Sequence, residues 1–132
     1  MSTIRLLTDA ELAPEAAEVF AEIRALRKTD FVNNFWRALA HDPAALRRTW
    51  DSVRQVMAPG ALDPLVKELI YVAVSVASNC EYCIRSHTAA ARAKGMSEAQ
   101  FMELVAVIGM ASETNRLATA LQVPVDEVFM KA

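Results

Sequence analysis

Apolar residues recur every three to four positions along most of this chain, which is the spacing of one face of an α-helix. Thr8 or Asp9 can open a first helix, whose apolar stripe extends to Leu26. A second, short helix is predicted through residues 35–39, ending near His41. The pattern therefore predicts helices from the start of the chain.

Proline marks the beginning of the next two helices. Asp42-Pro43 has the form of an N-cap followed by proline at the first helical position, and Asp63-Pro64 repeats it. Pro59-Gly60 ends the third helix before the fourth begins. The apolar stripe of the third helix consists of Leu46, Trp50, Val53 and Met57. We interpret Trp50, like Trp36, as a core or interface residue rather than part of a cofactor site.

Glycine and serine mark the boundaries of the remaining helices. Gly95 suits the left-handed C-terminal cap of a fifth helix, and Ser97 with Gln100 forms a capping box that begins a sixth. Residues 124–126 would begin a last short turn of helix. The sequence thus predicts an all-α fold, a single compact domain of about six to seven helices over residues 1–132.

The fourth helix contains a segment, residues 70–76, that is rich in β-branched residues and has the propensity of a strand. Its proline-capped start and its length favour a helix, and no other segment offers it a strand to pair with. Apolar residues surround this helix almost completely, so we expect it to be buried. One polar stripe interrupts them and consists of Glu68, Tyr71, Ser75 and Asn79.

Composition narrows the classes of partner. A net charge of −2 and a pI near 5.7 give no reason to expect nucleic acid or an anionic membrane surface as a partner. The chain is 54% hydrophobic, which is high for 132 residues and favours a homo-oligomer that covers apolar surface. No export signal precedes the first helix, and the longest apolar stretch, residues 69–77, is too short to span a bilayer. A cytoplasmic protein is expected.

The only two cysteines lie three positions apart, as Cys80 and Cys83, and His87 follows one turn later. On one helix these side chains share a face, and the spacing places the cysteine Cα atoms about 5–6 Å apart, within disulfide range. A Cys-x-x-Cys without an export signal indicates a reactive pair rather than a disulfide framework. His87 can accept a thiol proton, because it lies one turn beyond Cys83.

The start of the same helix offers a second way to stabilise a thiolate. Ser78 and Asn79 are both good N-cap residues. Either one would place Cys80 in the first turn, where the helix dipole favours negative charge.

Glu68 has two interpretations. A lone glutamate on a helix is most often solvated at the surface. Alternatively, its carboxylate lies in the core and manages protons for the thiols. In a straight helix it would lie about 18 Å from Cys80, so the second interpretation requires the helix to break near Ser78-Asn79. The spacing leaves both interpretations open.

The cysteines have other possible uses. They could be small buried hydrophobic residues, or ligands of zinc together with His87. A zinc site would lack a second cysteine pair, so Glu68 or water would have to be the fourth ligand, and we expect neither a metal nor a cofactor. A thioredoxin fold is not expected, because the surroundings of the motif are helical. His41 is interpreted as a surface or cap residue without chemistry.

The motif carries a family resemblance. Glu68, eleven further residues and then Cys80-x-x-Cys83-x-x-x-His87 resemble the signature of the alkylhydroperoxidase D-like proteins, in the carboxymuconolactone decarboxylase-like superfamily. Residues 30–39 and the Asp-Pro pair after them are also similar to members of that group, and the similarity covers about residues 18–111. The resemblance implies an all-helical fold that assembles into trimers or hexamers.

The resemblance also implies a thiol-dependent peroxidase that reduces organic hydroperoxides and is reset by a dithiol reductant. Carried over by position, Cys83 would be the attacking thiol and Cys80 the resolving one, while Glu68 and His87 would form a proton relay. The decarboxylase branch lacks this dithiol, so a lactone decarboxylase is not expected. A thiol–disulfide exchange protein or redox sensor is the first alternative, and a zinc-stabilised interaction module the second.

One position departs from the family pattern. In the most similar peroxidases a histidine stands just before the second cysteine, and here that residue is Tyr82. A phenol titrates far above neutral pH and cannot replace imidazole as a base, although it can donate a hydrogen bond in a supporting role. The substitution bears on peroxidase efficiency and on the choice of reductant.

Overall fold

The chain is all-α. The computed structural model describes residues 2–131 and contains no strand in that part of the chain. It divides into two compact units, one ending at Ala58 and the other beginning at Pro59. The helices of the first unit are α1 Pro14–Arg27, α2 Asn34–Leu39 and α3 Pro43–Met57. Those of the second are α4 Pro64–Ala77, α5 Glu81–Ala93 and α6 Glu98–Ala120. Short 3₁₀ turns cover Asp9–Glu11 and Glu127–Lys131.

The all-α class is confirmed, as is the helix count at its lower end. The segment 70–76, with its strand-like composition, is helical as expected, because it lies inside α4. The single domain expected over residues 1–132 stays a prediction beside the division into two units.

The first unit has a continuous apolar core. Two tryptophans predicted to be core or interface residues lie within it: Trp36 and Trp50 are buried, with their ring centroids 5.6 Å apart in an edge-to-face arrangement. The other buried members of the core are Leu7, Ala16, Val19, Phe20, Ile23, Val32, Ala40 and Leu46. His41 is exposed and its Nε2 lies 2.7 Å from the carbonyl oxygen of Arg5, which fits the surface role expected for it.

The expected start of the first helix at Thr8 or Asp9 is wrong for an α-helix. A 3₁₀ turn occupies Asp9–Glu11, and α1 begins only at Pro14. Ala13 is extended, with φ −62° and ψ 153°, because proline disfavours the α conformation in the residue before it. Pro14 is therefore the true start signal, in the position where its missing N–H leaves no bond unmade.

The two aspartate–proline pairs begin helices, as predicted. The Asp42 side chain accepts a hydrogen bond from the Ala45 N–H at 3.0 Å and begins α3. The Asp63 side chain accepts one from the Leu65 N–H at 2.8 Å and begins α4. Each carboxylate satisfies a backbone donor that the first helical turn would otherwise leave unpaired.

The second unit buries less apolar surface than expected. Helix α4, expected to be buried nearly all round, buries only Glu68, Val72 and Ser75. The apolar side chains of Ile70 and Val74, one turn apart, are 49% and 59% exposed. Helix α6 has no buried residue at all. The prediction of a fully buried α4 is therefore wrong for the single chain, and α4 and α6 present an apolar surface.

Candidate redox site

The break between α4 and α5 is a tight helix-ending turn. Asn79 adopts a left-handed conformation with φ 55°, and the N–H groups of Asn79 and Cys80 donate to the carbonyl oxygens of Val76 and Ser75, at 3.1 and 3.0 Å. This is the Schellman pattern that commonly ends helices, and asparagine tolerates it better than most residues. The break expected near Ser78-Asn79 is present.

The cap residue differs from the expectation. Ser78 is the C-terminal cap of α4, and Asn79 lies in the turn, so neither caps α5. Cys80 itself is the N-cap: its Sγ accepts a hydrogen bond from the Cys83 N–H at 3.3 Å. Because Ser78 and Asn79 are both used to end α4, the cap of α5 lies just after these two expected positions.

Cys80 and Cys83 are joined as a disulfide, with their Cα atoms 5.3 Å apart. This separation agrees with the one expected from the spacing. Sγ of Cys80 therefore lies where the first turn of α5 presents an N–H group, an environment that stabilises negative charge on that sulfur once the bridge is reduced.

Glu68 lies in the interior and not at a solvated edge. The residue is only 5% exposed, and its Oε2 lies 2.7 Å from Nδ1 of His87, 19 positions later in the chain. With Glu68 ionised, the Nδ1–H of the neutral imidazole donates a hydrogen bond to the carboxylate, so Nε2 has a free lone pair. His87 lies one turn after Cys83 on α5. The structure thus brings the predicted carboxylate to the helix that carries the dithiol.

Lys94 is a member of this cluster that the sequence analysis missed. Its Nζ donates to the other carboxylate oxygen, Oε1 of Glu68, at 2.9 Å. Burial would raise the pKa of Glu68, but the hydrogen bonds from His87 and Lys94 outweigh it and hold the pKa below its ordinary value. The available signal was spacing, because Lys94 follows His87 by seven positions and so shares its face of α5.

Tyr71 covers the imidazole. Its ring is stacked on that of His87, with centroids 3.4 Å apart and planes 14° from parallel. Ser75, one turn further along α4, is buried and donates its hydroxyl hydrogen to the Tyr71 carbonyl oxygen at 2.7 Å. Three members of the polar stripe on α4 are therefore used inside the unit, two of them in contact with His87.

Tyr82 lies on α5 between the two cysteines and is exposed. No helix within residues 2–131 is both long and apolar enough to cross a bilayer. In the same part of the chain, no three His, Cys, Asp or Glu side chains cluster as a metal-binding group would.

The chain is all-helical, and a Cys-x-x-Cys bridge lies at the start of α5. A buried carboxylate on α4 pairs with an imidazole on α5. These features define an all-α protein with a candidate dithiol redox site. The chain belongs to the carboxymuconolactone decarboxylase family, whose sequence model matches residues 43–126. The resemblance drawn from the sequence motif is thereby confirmed.

Two proteins described as AhpD are similar to this chain. The chain is 59% identical to a crystal structure described as the alkylhydroperoxidase AhpD core from Rhodospirillum rubrum ATCC 11170, with a TM-score of 0.96, covering 100% of this chain and 99% of that one. It is 37% identical over 86 residues to the alkyl hydroperoxide reductase AhpD of Solibacter usitatus (strain Ellin6076), covering 65% of this chain and 44% of that protein.

A third relative is an uncharacterized protein 4 in the cox locus of Paracoccus denitrificans, 44% identical over 50 residues, covering 38% of this chain and 45% of the relative. The chain thus spans less than half the length of the curated relatives that it matches.

Proposed function

We propose that this protein is a thiol-dependent peroxidase that reduces organic hydroperoxides through a Cys80–Cys83 dithiol–disulfide cycle. One observation carries the proposal: a buried carboxylate, Glu68, is hydrogen-bonded to the imidazole that follows Cys83 by one turn. A carboxylate–imidazole pair next to a Cys-x-x-Cys is an arrangement that functional sites use to move protons. The similarity to proteins described as alkylhydroperoxidases supports the same reaction.

The first step oxidises Cys83. His87 Nε2 accepts the thiol proton, and the resulting thiolate attacks the terminal oxygen of the hydroperoxide. The O–O bond breaks, the alkoxide takes the proton from the imidazolium and leaves as an alcohol, and Cys83 becomes a sulfenic acid. Glu68 stabilises the imidazolium while that charge exists, because its carboxylate accepts the Nδ1 hydrogen bond.

The second step forms the bridge, and the third removes it. The Cys80 thiol attacks the Cys83 sulfur, an S–S bond forms, and the hydroxyl leaves as water. An external dithiol then supplies two electrons and two protons and ends as a disulfide. When its thiolate attacks the Cys83 sulfur, Cys80 leaves as a thiolate, which the N–H of Cys83 is placed to stabilise.

The decisive experiment is steady-state reduction of cumene hydroperoxide with a panel of dithiol donors. We expect one dithiol to be oxidised for each hydroperoxide reduced, and the double variant Cys80→Ser with Cys83→Ser to show only the rate in buffer. Turnover that survives the double substitution would refute the mechanism.

The single variants test which cysteine attacks. Cys80→Ser should perform one turnover and leave a sulfenic acid that dimedone traps at Cys83, whereas Cys83→Ser should give no trapped adduct. A dimedone adduct on Cys80 in the Cys83→Ser variant would reverse the assignment.

The relay is tested with Glu68→Gln and His87→Gln. Removal of one positioned acid–base group lowers a rate about 10²–10⁴-fold, and we expect both variants to fall in that range. Both should also alkylate more slowly at neutral pH, because the thiolate is less populated. An unchanged alkylation–pH profile in both variants would contradict the relay.

Tyr82 supports a second candidate, a thiol–disulfide exchange protein or redox sensor with the same cysteines. Tyr82 is an exposed phenol at the position where the family resemblance leads us to expect a histidine. If the bridge exchanges with thiol partners while hydroperoxide consumption equals that in buffer, the exchange function is correct. Tyr82→His should then raise peroxide turnover.

The remaining alternative is a zinc-stabilised interaction module. Metal analysis of the reduced protein distinguishes this module from a peroxidase, since one zinc per chain would contradict the peroxidase proposal.

The partners that we propose are a small organic hydroperoxide and a dithiol reductant. We further propose that the protein acts in the cytoplasm as a homo-oligomer and without a bound cofactor.

A further inference from the structure

Both oxygens of the buried Glu68 carboxylate have a partner on α5. Oε2 receives the hydrogen bond of His87 and Oε1 that of Lys94, at 2.7 and 2.9 Å. Lys94 is the C-terminal cap of α5, and its side chain is 40% exposed, whereas that of Glu68 is 7% exposed. The lysine thus connects an interior carboxylate to the solvent boundary.

The Lys94 ammonium group affects whether the Glu68 carboxyl group beside His87 is ionised or protonated. Burial disfavours a carboxylate unless cations or donors offset the loss of water. If Lys94 were absent, Oε1 would lack a donor, and protonation of Glu68 would become easier. A carboxyl group protonated at Oε2 donates a hydrogen bond to Nδ1 of His87, and the ring proton would then lie on Nε2, which could no longer take a proton from a thiol. Protonation at Oε1 leaves Oε2 as an acceptor but removes the negative charge that stabilises a protonated His87. In both cases Glu68 supports proton transfer from the thiol less well.

We infer that Lys94 is a positioning residue of the dithiol site: by pairing with Oε1 it keeps Glu68 ionised, and Glu68 in turn keeps the His87 tautomer whose Nε2 accepts a proton. The role rests on the proposed function for its consequence in peroxide turnover, but its effect on thiol reactivity can be measured without peroxide. Lys94 acts only through Glu68 and needs no contact with substrate.

The charged groups that face Glu68 are few. On α5 they are His87 and Lys94. Helix α6 also packs against α4, but none of its described charged residues forms an ion pair with Glu68. Glu98, at the start of α6, pairs instead with Arg92 at 2.9 Å. The neighbouring Arg92 therefore provides a control cation on the same helix end.

The test compares Lys94→Met, Lys94→Arg and Arg92→Met. Each reduced protein is alkylated with iodoacetamide across a range of pH, and peroxide turnover is measured in parallel. In Lys94→Met we expect the pH of half-maximal alkylation to rise and the rate below neutrality to fall about tenfold, less than the ~10²–10⁴-fold expected for loss of the acid–base group itself. Lys94→Arg should restore the wild-type profile, because it retains the charge.

Arg92→Met should leave the alkylation profile unchanged, since the cation removed does not contact Glu68. Thermal unfolding of each variant checks that the fold is retained. A Lys94→Met profile that coincides with that of the wild type would overturn the inference. So would an Arg92→Met shift of equal size, because it would assign the effect to charge at the helix end.

A double-mutant cycle tests whether Lys94 acts through Glu68. If Lys94 acts through the carboxylate, Lys94→Met in a Glu68→Gln background should change the alkylation rate less than about twofold. A further loss similar to that of the single variant would contradict action through Glu68. Failure of the peroxidase proposal has a different signature: the wild-type protein would consume no hydroperoxide, while the shift in the alkylation profile would persist.

Discussion

The Glu68 carboxyl group is buried in the protein interior, on a helix whose other faces are largely apolar. Such a group survives burial only because both of its oxygens are paired. Its pKa is held below the ordinary value of 4.5. A group with a depressed folded-state pKa stabilises the fold fully above its unfolded-state pKa, and this contribution is lost as the pH falls through the folded-state value.

The dependence of stability on pH should therefore change in Glu68→Gln. At neutral pH we expect the wild type to have the higher free energy of unfolding, by at most about 2 kcal/mol, since Lys94 is partly solvated. The difference should shrink as the pH falls below 4.5, because the wild-type carboxylate becomes protonated. Denaturant unfolding at a series of pH values measures it. Glu103→Gln, at an exposed site on α6, is the control, and parallel curves for wild type and Glu68→Gln would contradict the prediction.

Tyr71 gives a second prediction for a single residue. Its ring is stacked on His87, and aromatic contacts of this kind contribute about 0.5–1.5 kcal/mol beyond the area they bury. Tyr71→Leu should loosen the imidazole and slow alkylation of the reduced cysteines by about 2–10-fold. Tyr71→Phe keeps the stacked ring and should behave as the wild type. If Tyr71→Phe is as slow as Tyr71→Leu, the hydroxyl and not the stacking is responsible.

Glu68 and His87 could be proposed from the sequence because their distances from the cysteines follow a specific pattern. That they touch could not be derived, since 19 positions separate them and contact depends on the direction that the turn at Asn79 gives to α5. Lys94 was missed for a different reason. A lysine at the end of a helix is usually explained by the helix dipole, and its shared face with His87 does not by itself indicate a partner on another helix.

Helix boundaries were predictable where one or two adjacent residues determine them. Asp42, Asp63 and Ser97 all cap the helices that the sequence assigned to them. The errors occur where two signals compete. Pro14 overrides Thr8 at the start of α1, and the end of α4 uses the residues that had been expected to begin α5.

Gly95 ends α5 in the way expected of it, with φ +97°. Its N–H and that of Met96 donate to the carbonyl oxygens of Arg92 and Ala91, both at 3.0 Å, which is again a Schellman motif. A Cβ at Gly95 would contact nothing within 4 Å, so a substitution there is penalised by backbone conformation and not by space.

Two glycine substitutions should consequently have opposite effects. Gly95→Val should lower the free energy of unfolding by about 1–3 kcal/mol, because a β-branched residue is forced to positive φ. Gly109→Ala, inside α6 and also free of contacts at the added Cβ, should raise it by about 0.5–1 kcal/mol. Chemical denaturation of both variants checks the pair. Equal effects in the same direction would show that neither glycine is governed by its helix position.

At the scale of the whole molecule, α4 and α6 expose apolar side chains. Side chains that would ordinarily form a core are exposed in the single chain, among them Ile70, Val74, Val107 and Met110. Contiguous exposed apolar surface usually marks a site of association. Sequence patterning identified these positions as apolar, but it could not distinguish a core within the chain from an interface between copies.

We therefore predict that the protein associates in solution, as expected from its composition. Ile70→Glu combined with Val74→Glu should shift the sedimentation coefficient towards that of a monomer, because each charge would have to be buried on association. Ala99→Glu adds one such charge at an exposed small residue of α6 and serves as the control. A wild-type protein that sediments as a monomer at all concentrations would contradict the prediction.

The hydrogen bond from the Cys83 N–H to the Cys80 sulfur links electron transfer to a single backbone proton. An acceptor that changes from a bridged sulfur to an anion must alter the shielding of that proton and its protection from exchange with deuterium. The ¹⁵N–¹H resonance of Cys83 should therefore report the fraction of the protein that is oxidised. It can be followed without any reagent that attacks the sulfurs.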